Sequence, residues 1–537
     1  MTDLTLRAVS DANDFDAFMA ASYAVFLQDP QKDEIDLLRA FTEYDRMFGF
    51  HDGTHWVSTA GAFGKQVVLP GGGLVPVAAV TMVTVSPSHR RRGLLTAMMR
   101  HQLEDVRARG TEALAMLFAS EASIYGRFGY GMAISGAGFS GRVRELGFRP
   151  DVELGDGSVT HVDVETFMAS APEIQQRAMM LRPGLMERPR AWWDNWIHDS
   201  EERRKESGKI RFLLHREADG TATGFAIYRP KNSWTDRGQP NSELQVREVR
   251  ATNHRAYAQI WRYLLDMDLV RSVWYDGAVD EPLRAMVADQ RALACQVIDG
   301  VYVRLVDVPR ALTLRKYAAP VDVVLDVADE FCPWNTGRWH LRGGPDGADC
   351  ETTTAPADIA ISVRDLGASY LGGVSLQALA SAGLVEELDL IKVGRGDRTD
   401  DKLGDSLAGR DRHLLLPQVD EQHADLASIV TIDGTRTVQD RHTLLERPPR
   451  AWSDLPLKPQ RDGQAQAGGH KGPPKRRQGD RLPVREAGVQ VQAGGAGGLV
   501  GRQHRFGPQP TAGHDEAAGR GRGGPRCMSC PISRDPV

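Results

Sequence analysis

The fold of this chain is decided by residues 74–110, LVPVAAVTMVTVSPSHRRRGLLTAMMRHQLEDVRARG. The part up to Val85 is apolar and rich in β-branched residues, which predicts a buried strand. Beyond Pro87 the apolar residues recur at helical spacing, so an amphipathic helix is expected after the strand. The apolar residues of that helix are Leu94, Leu95, Met98, Met99, Leu103 and Val106. A strand that leads through a short turn into a helix is a building unit of α/β folds.

Basic residues fill the turn between this strand and this helix. We expect Arg91, Arg92 and Gly93 to form the first helical turn, where backbone N–H groups are free and the helix dipole is positive. Arginines at a helix N-terminus are disfavoured by the positive end of the helix dipole, whereas a pyrophosphate would be attracted both by the arginines and by the dipole. Gly93 would let the phosphates approach the backbone closely. An anionic ligand therefore explains the pattern better than the alternative, a solvated helix start.

A second motif follows in residues 113–133, ALAMLFASEASIYGRFGYGMA. Residues 113–119 predict another buried strand, and a short helix that carries Tyr125 is expected after Ser120 and Glu121. By itself, Tyr125 would be explained as an aromatic residue packed in the core. Tyr130, which stands between two glycines, is interpreted as structural.

Together the two motifs resemble those of one acetyltransferase family. The segment from Arg90 is similar to motif A of the Gcn5-related N-acetyltransferases (GNAT), R/Q-x-x-G-x-G/A, although Leu95 departs from its final small residue. Combined with SE-x-x-IYGRFGYG, the pattern resembles the enhanced intracellular survival (Eis) family. The likeness covers about residues 1–388 and continues, in order, through RPG at 182–184, AWWD at 191–194, VRLVDVP at 303–309, FCPWN at 331–335 and DLGASYLGG at 365–373.

The resemblance implies a mixture of α/β and α+β domains, namely tandem GNAT domains followed by a sterol-carrier-like domain, and the composition of the chain adds a disordered basic tail. The implied domains are an N-terminal GNAT domain with the acetyl-CoA site (1–150), a degenerate GNAT-like domain (151–290), a sterol-carrier-like domain (291–392) and a low-complexity tail (393–537).

A trace of the internal repeat is visible in the sequence itself. Residues 244–249 predict a strand and residues 250–268 a helix, in which Arg255 and Ala256 take the positions of Arg92 and Gly93. Because this copy lacks the arginine run and the glycine, it is not expected to bind pyrophosphate.

The resemblance also assigns the chemistry. Transfer of an acetyl group from a thioester to an amine needs a neutral amine, a polarised carbonyl and an acid for the leaving thiolate. Tyr125 matches the family's general acid, since a phenol with a pKa near 10 is protonated at neutral pH. The residues that would hold acetyl-CoA are Val83, Thr84, Val85, Arg91, Arg92, Gly93, Leu94, Leu95, Thr96, Ser120 and Glu121. No metal is expected to take part.

The family's general base is the carboxylate of the last residue, which here is Val537. A tail of 145 residues, 393–537, gives that carboxylate a low effective concentration at the site. The composition of the tail is typical of a GC-rich message translated out of frame, and a genuine disordered extension is the alternative.

Composition separates this tail from the rest of the chain. Of all the Phe, Tyr and Trp residues, only Trp452 and Phe506 lie beyond residue 392. Residues 461–537 carry 17 Gly and 8 Pro, with 13 Lys+Arg against 6 Asp+Glu, which predicts a basic, disordered segment. Because the whole chain has a formal net charge of −5, residues 1–460 carry −12.

Several classes of protein are disfavoured by the sequence. The N-terminus has acidic residues where a secretory signal needs a positive start, and no apolar run is suited to a membrane helix. Five cysteines in 537 residues do not form a disulfide framework, so we expect a cytoplasmic protein. The basic tail lacks aromatics for base stacking, so nucleic acid is an unlikely partner beyond nonspecific phosphate contact.

The sequence thus predicts an acetyl-CoA-dependent N-acetyltransferase acting on amines, either aminoglycoside-like polyamines or lysine. The negative charge of residues 1–460 suits cationic acceptors. The resemblance further implies a homo-oligomer, a hexamer. The alternatives are a catalytically impaired homologue that binds a ligand, and a protein whose tail binds nucleic acid nonspecifically.

Overall fold

The structure is a computed structural model that describes residues 4–29, 31–204 and 206–388. The sequence predictions for the tail, including its disorder and the position of Val537, therefore lie outside the described residues. The strands are β1 (Thr5–Ala8), β2 (Met47–His51), β3 (Ser58–Val68), β4 (Leu74–Val85), β5 (Leu114–Phe118), β6 (Gly131–Arg142), β7 (Ser158–Val162), β8 (Arg211–Arg216), β9 (Ala222–Lys231), β10 (Ser242–Ala251), β11 (Val270–Ala278), β12 (Leu293–Leu305), β13 (Val321–Ala328), β14 (Gly337–Gly344), β15 (Gly347–Thr352), β16 (Ile359–Ser362) and β17 (Val385–Glu387).

Twelve α-helices connect these strands in the described part of the chain. They are α1 (Ala12–Val25), α2 (Lys32–Arg39), α3 (Leu94–Arg109), α4 (Val164–Met168), α5 (Ala171–Met179), α6 (Arg190–Ile197), α7 (Glu201–Arg204), α8 (His254–Leu265), α9 (Leu283–Met286), α10 (Val308–Leu314), α11 (Val363–Ser369) and α12 (Leu376–Ser381). The predicted strands of residues 113–119 and 244–249 and the predicted helix of residues 250–268 correspond to β5, β10 and α8.

Strands β1–β12 form one twelve-stranded sheet in the order β1-β2-β3-β4-β5-β12-β6-β11-β10-β9-β8-β7. The sheet consists of two halves with the same order, and each half ends in a strand taken from the other part of the chain. Strand β12 pairs with β5, and β6 pairs with β11, while β6 and β12 pair with each other in the middle. In each half a helix links two parallel strands, α3 between β4 and β5 and α8 between β10 and β11. The internal repeat predicted from the sequence is therefore present.

The exchange of strands fixes the two halves to each other. Strand β6 starts before residue 150, the boundary proposed from the sequence, yet it pairs with the second half. Strand β12 lies entirely within the range proposed for the third domain, 291–392, yet all its strand partners among the described residues lie in the large sheet. Cutting the chain at either position would remove a central strand from the sheet.

The third unit is a five-stranded sheet in the order β15-β14-β13-β16-β17, packed with helices α10, α11 and α12. Its apolar side chains, such as Val323 and Leu366, belong to one cluster with Met116 and Val303 of the large sheet. Gly367 of α11 lies so close to β12 that a Cβ there would be 2.5 Å from the carbonyl oxygen of Val303. Close packing thus explains Gly367 and also Gly373, where a Cβ would be 2.3 Å from the carbonyl oxygen of Ala133, while Gly372 has a φ of 86°.

A buried ion pair explains two further motifs. Arg304 of the VRLVDVP segment donates to both carboxylate oxygens of Asp329, at 2.9 and 2.7 Å, and both side chains are fully buried. Asp329 also accepts hydrogen bonds from the backbone N–H of Cys332 and the amide of Asn335 in the FCPWN segment. These hydrogen bonds hold the two segments together inside the core, while Nε and Nη1 of Arg304 have no hydrogen-bond partner among the described residues.

Candidate active site

A cleft opens where strands β4 and β5 diverge. The two strands pair in parallel only at Ala78 with Ala115 and at Ala79 with Met116. Beyond this point β4 contains a bulge, because the pairing with β3 passes from Gly61↔Thr81 to Thr59↔Thr84 and leaves Met82 and Val83 opposite a single residue. Met82 has a φ of 53°, which is uncommon for a residue with a side chain and marks the bulge as a strained position. Both residues of the bulge, Met82 and Val83, line the cavity.

Tyr125 stands on the other wall of this cleft, at the start of a short 3-10 helix, Tyr125–Phe128. Its side chain is 5% exposed, and its ring meets the ring of Tyr130 edge-on at 5.9 Å between centroids. Burial, and secondarily the charge of Glu121, raises the pKa of Tyr125 to about 12. The phenol is therefore a proton donor, and not a base, at neutral pH. Tyr130 is fully buried, in agreement with the structural role expected for it.

The arginine turn precedes the helix instead of forming its first turn, which corrects the prediction. Helix α3 begins at Leu94, and Gly93 is its N-cap with a φ of 80°. Arg91 has a φ of 61°, so neither residue continues a right-handed helix. Arg91, Arg92 and Gly93 are exposed, and a Cβ placed on Gly93 would meet no atom within 4 Å. The amides of the first turn have no side-chain cap, so Leu94, Leu95 and Thr96 present their N–H groups beside the arginines.

The remaining predicted cofactor residues lie between the turn and the cleft. Ser120 lines the cleft with Val83 and is exposed, as is Glu121. Thr84 is buried, its hydroxyl lies 2.6 Å from the hydroxyl of Thr59, and it does not line the cavity. Val85 ends the strand just before the turn. The structure thus places the bulge and Tyr125 on one cavity, and the arginine turn follows the end of the bulged strand.

Sequence reasoning missed the side chains of the cavity wall opposite the bulge. These side chains come from four segments that are distant in the chain, and the largest are Phe26, Phe63, Lys65, Met186 and Trp192. The cavity has a volume of about 90 Å³. Lys65 is the only formally charged residue among those described that line it. A lysine in the otherwise uncharged strand β3, STAGAFGKQVV, was the available signal.

In the second half of the twelve-stranded sheet, the region that corresponds to the cleft and the arginine turn is closed. Helix α8 has Asn253 as its N-cap, so the residue opposite Gly93 is Asn253 and not Ala256, which corrects the alignment made from the sequence. The Asn253 side chain accepts a hydrogen bond from the N–H of Ala256 at 2.9 Å and donates to Glu217 at 2.9 Å. The space beyond the paired part of β10 and β11 contains the buried carboxylate of Glu281, which accepts a hydrogen bond from Ala278 N–H. This copy presents no open cradle for phosphate.

A larger groove, of about 960 Å³, lies elsewhere in the second half, beside His161 and Tyr228. It contains none of the site residues predicted from the sequence. The described residues also contain no cluster of three or more His, Cys, Asp or Glu that could hold a metal ion. None of the helices within those residues is both long and apolar enough to traverse a lipid bilayer.

The general base has no counterpart in the part of the chain that the structure describes. No Asp, Glu or His in that part lines the cavity, and Val537 lies outside it. The assignment of the terminal carboxylate remains a prediction.

Two interleaved halves with a bulged β4, a parallel β5 and an uncapped α3 define a tandem GNAT acetyltransferase. Models of the acetyltransferase (GNAT) domain match residues 6–133 and 184–305, and a model of the sterol carrier protein domain matches residues 308–403. These matches confirm the fold class predicted from the sequence.

Comparison with individual relatives identifies the family within the GNAT acetyltransferases. An uncharacterized N-acetyltransferase of Streptomyces avermitilis is 42% identical over 360 residues, covering 66% of this chain and 87% of that protein. The N-acetyltransferase Eis of Mycobacterium tuberculosis is 31% identical over 348 residues, covering 64% and 82%. The crystal structure of Eis1 from Mycobacterium abscessus is 30% identical, with a TM-score of 0.61, covering 72% of this chain and 94% of that one. The chain belongs to the Eis-like family of GNAT N-acetyltransferases.

Proposed function

We propose that this N-acetyltransferase takes its acetyl group from acetyl-CoA and transfers it to an amine that enters the cleft from the side of Lys65 and Trp192. The divergence of β4 from β5 beside the bulge carries the proposal. It opens the cavity that Val83 and Tyr125 line, and the exposed arginine turn follows the end of the same bulged strand.

The residues of the site fit both the pyrophosphate and the thioester of acetyl-CoA. Arg91 and Arg92, together with the uncapped amides after Gly93, would hold the pyrophosphate, since helix N-termini and guanidinium groups both favour phosphate. The bulge at Met82 and Val83 leaves backbone N–H groups without partners in the β3 ladder, and such a group can polarise the thioester carbonyl. The predicted contacts of Ser120 and Glu121 belong to the same proposal.

The transfer has a defined balance of bonds. The amine nitrogen attacks the thioester carbonyl carbon, the C–S bond breaks, and the leaving sulfur takes a proton from the Tyr125 hydroxyl. The attacking nitrogen gives up its own proton to a base, for which the family resemblance nominates the terminal carboxylate, Val537 in this chain. The acceptor classes implied by the resemblance are aminoglycoside-like polyamines and lysine.

The experiment is an acetyl-transfer assay on the full chain, with CoA release and amide formation measured in parallel. Equal amounts of both products support the proposal. Binding of acetyl-CoA with no amide formation would favour the alternative, a homologue that only binds the ligand. Failure to bind acetyl-CoA would contradict the proposal.

We also propose the hexameric assembly that the family resemblance implies and the cytoplasmic location expected from the N-terminal sequence and the few cysteines. Light scattering on the purified chain tests the first, since six copies of a 59.0 kDa chain would be observed as one species. Fractionation of the native cells tests the second.

A further inference from the structure

We propose that the third unit positions the proton donor of the transfer, and that Phe331 is a positioning residue that acts through Tyr125. The proposal rests on the acid role proposed above for Tyr125 and deepens it. It gives a part in the reaction to the sterol-carrier-like domain, whose model matches residues 308–403.

The hydroxyl of Tyr125 depends on the backbone turn that carries it, residues 125–131, which we call the acid turn. Tyr125 is the first residue of a four-residue 3-10 helix, and its ring contacts the ring of Tyr130 edge-on. Among the described residues, none forms a hydrogen bond with its hydroxyl. A small displacement of the acid turn would therefore carry the hydroxyl away from the leaving sulfur.

Helix α11 of the third unit packs directly on the acid turn. A Cβ on Gly131 would be 1.9 Å from the carbonyl oxygen of Arg364 and 2.4 Å from the backbone nitrogen of Ala368. A Cβ on Gly126 would be 3.0 Å from Cζ of the Arg364 side chain. Neither glycine has a positive φ, so the close approach of α11 explains both, and an unusual backbone conformation does not.

The buried ion pair of Arg304 and Asp329 also supports the acid turn. A Cβ on Gly129 would be 2.7 Å from Cζ of Arg304, so the guanidinium packs against the turn. Asp329, which accepts hydrogen bonds from this guanidinium, belongs to the third unit. A displacement of the third unit would therefore reach the backbone next to Tyr125.

Phe331, between β13 and β14, links the acid turn to helix α3. Its ring meets the ring of Phe128 edge-on, with 5.0 Å between centroids, and Phe128 belongs to the same 3-10 helix as Tyr125. The guanidinium of Arg100 in α3 lies 4.5 Å from the centroid of the Phe331 ring, and its Nη1 donates to the Phe331 carbonyl oxygen at 3.1 Å. Because Phe331 is only partly buried, its ring can be removed with less damage than that of a core residue.

These contacts act on the reaction only through the acid turn. Neither Phe331 nor any residue of α11 lines the cavity, so Phe331 is a positioning residue and not a catalytic one. A displacement of about 1 Å at a reacting group can cost about 10²-fold in rate. Loss of the Phe331 ring should thus lower the rate of transfer while acetyl-CoA still binds.

The test is a double-mutant cycle that combines Phe331→Leu with Tyr125→Phe in the full chain. Single-turnover acetyl transfer is measured at saturating acetyl-CoA with two probe amines, 2-phenylethylamine and spermidine. We expect Phe331→Leu to lower the rate about 10- to 100-fold with an unchanged Kd for acetyl-CoA, and to leave the residual rate of Tyr125→Phe unchanged. Phe148→Leu, at a phenylalanine that is likewise partly buried but packs in another core cluster, should change neither rate.

Arg100→Met supplies a second variant in case Phe331→Leu does not fold, since Arg100 is exposed. It removes one support of the Phe331 ring and should lower the rate about threefold in the wild type, but not in Tyr125→Phe. An unchanged rate in the folded variant, or an equal fold-loss with and without the Tyr125 hydroxyl, would overturn this inference alone. A wild type that transfers no acetyl group, or a Tyr125→Phe variant as fast as the wild type, would instead contradict the proposed function and this inference with it.

Discussion

Replacement of Gly93 by alanine separates its conformational role at the start of α3 from its proposed role, which is to let the phosphates approach the backbone. Gly93 has a φ of 80°, and a Cβ added there would meet no atom within 4 Å. The cost to folding is therefore backbone strain alone, about 1–2 kcal/mol for a residue with a side chain in the left-handed region. The new methyl group would, however, stand where the proposed phosphates approach the amides of α3.

Gly110, at the other end of the same helix, provides a matched control. It has a φ of 66°, and a Cβ there would also meet no atom within 4 Å. We expect Gly93→Ala and Gly110→Ala to lower the melting temperature by similar amounts. Loss of one charge-assisted hydrogen bond costs about 1.5–3 kcal/mol, so the Kd for acetyl-CoA should rise about 10- to 100-fold in Gly93→Ala only.

Calorimetric titration of both variants with acetyl-CoA measures this difference, and thermal unfolding measures the shared strain. Equal affinity in the two variants would refute the assignment of the phosphates to the start of α3. A much larger loss of stability in Gly93→Ala would show that its surroundings are tighter than the structure indicates.

Further predictions concern single side chains. Arg91→Gly should relieve the strain of a φ of 61° and stabilise the fold by up to about 1 kcal/mol, while the affinity for acetyl-CoA falls. Denaturant unfolding measures the stability of the variant, and calorimetric titration of the same sample measures its affinity. Tyr125→Phe should lower kcat about 10²- to 10⁴-fold with unchanged acetyl-CoA affinity. Tyr130→Phe removes a hydroxyl that has no hydrogen-bond partner among the described residues, so it should leave the melting temperature equal or higher. Because burial raises the pKa of Tyr125 to about 12, its proton is retained below that pH, and the wild-type kcat should show no alkaline decline below about pH 10 from this group. Asp329→Ala should destabilise the fold by about 3–5 kcal/mol by leaving Arg304 buried without its carboxylate, a loss that urea unfolding measures.

Local patterns in the sequence predict the strand and helix units of the fold, whereas the role of Tyr125 rests on the family resemblance and stays a prediction. The strand and helix of residues 74–110 follow from β-branched and helical periodicity, and the structure contains both as β4 and α3. The start of α3 was predicted three residues early, since Arg91 is compatible with a helix by its type and only its left-handed backbone prevents it. The bulge at Met82 could not be predicted either, because a methionine carries no preference for positive φ.

Features that depend on distant pairing were outside the reach of sequence patterns. Strands β6 and β12 are neighbours in the sheet although strands β7–β11 lie between them in the chain, and the sequence of neither strand indicates its partner. Lys65 and Trp192 meet at the cavity although they are far apart in the chain. The lysine of β3 had a signal, its isolation among uncharged residues, but its orientation toward the cleft depends on the sheet.

The central claim is that the cleft between β4 and β5 is the site of acetyl transfer and that Tyr125 supplies the proton. The most direct test measures single-turnover acetyl transfer to 2-phenylethylamine and to spermidine by the wild type and by Tyr125→Phe, each loaded with saturating acetyl-CoA. We expect amide and CoA in equal amounts from the wild type with at least one of the amines, and a rate about 10²- to 10⁴-fold lower in the variant. Equal rates in the two proteins, at equal acetyl-CoA occupancy, would contradict it.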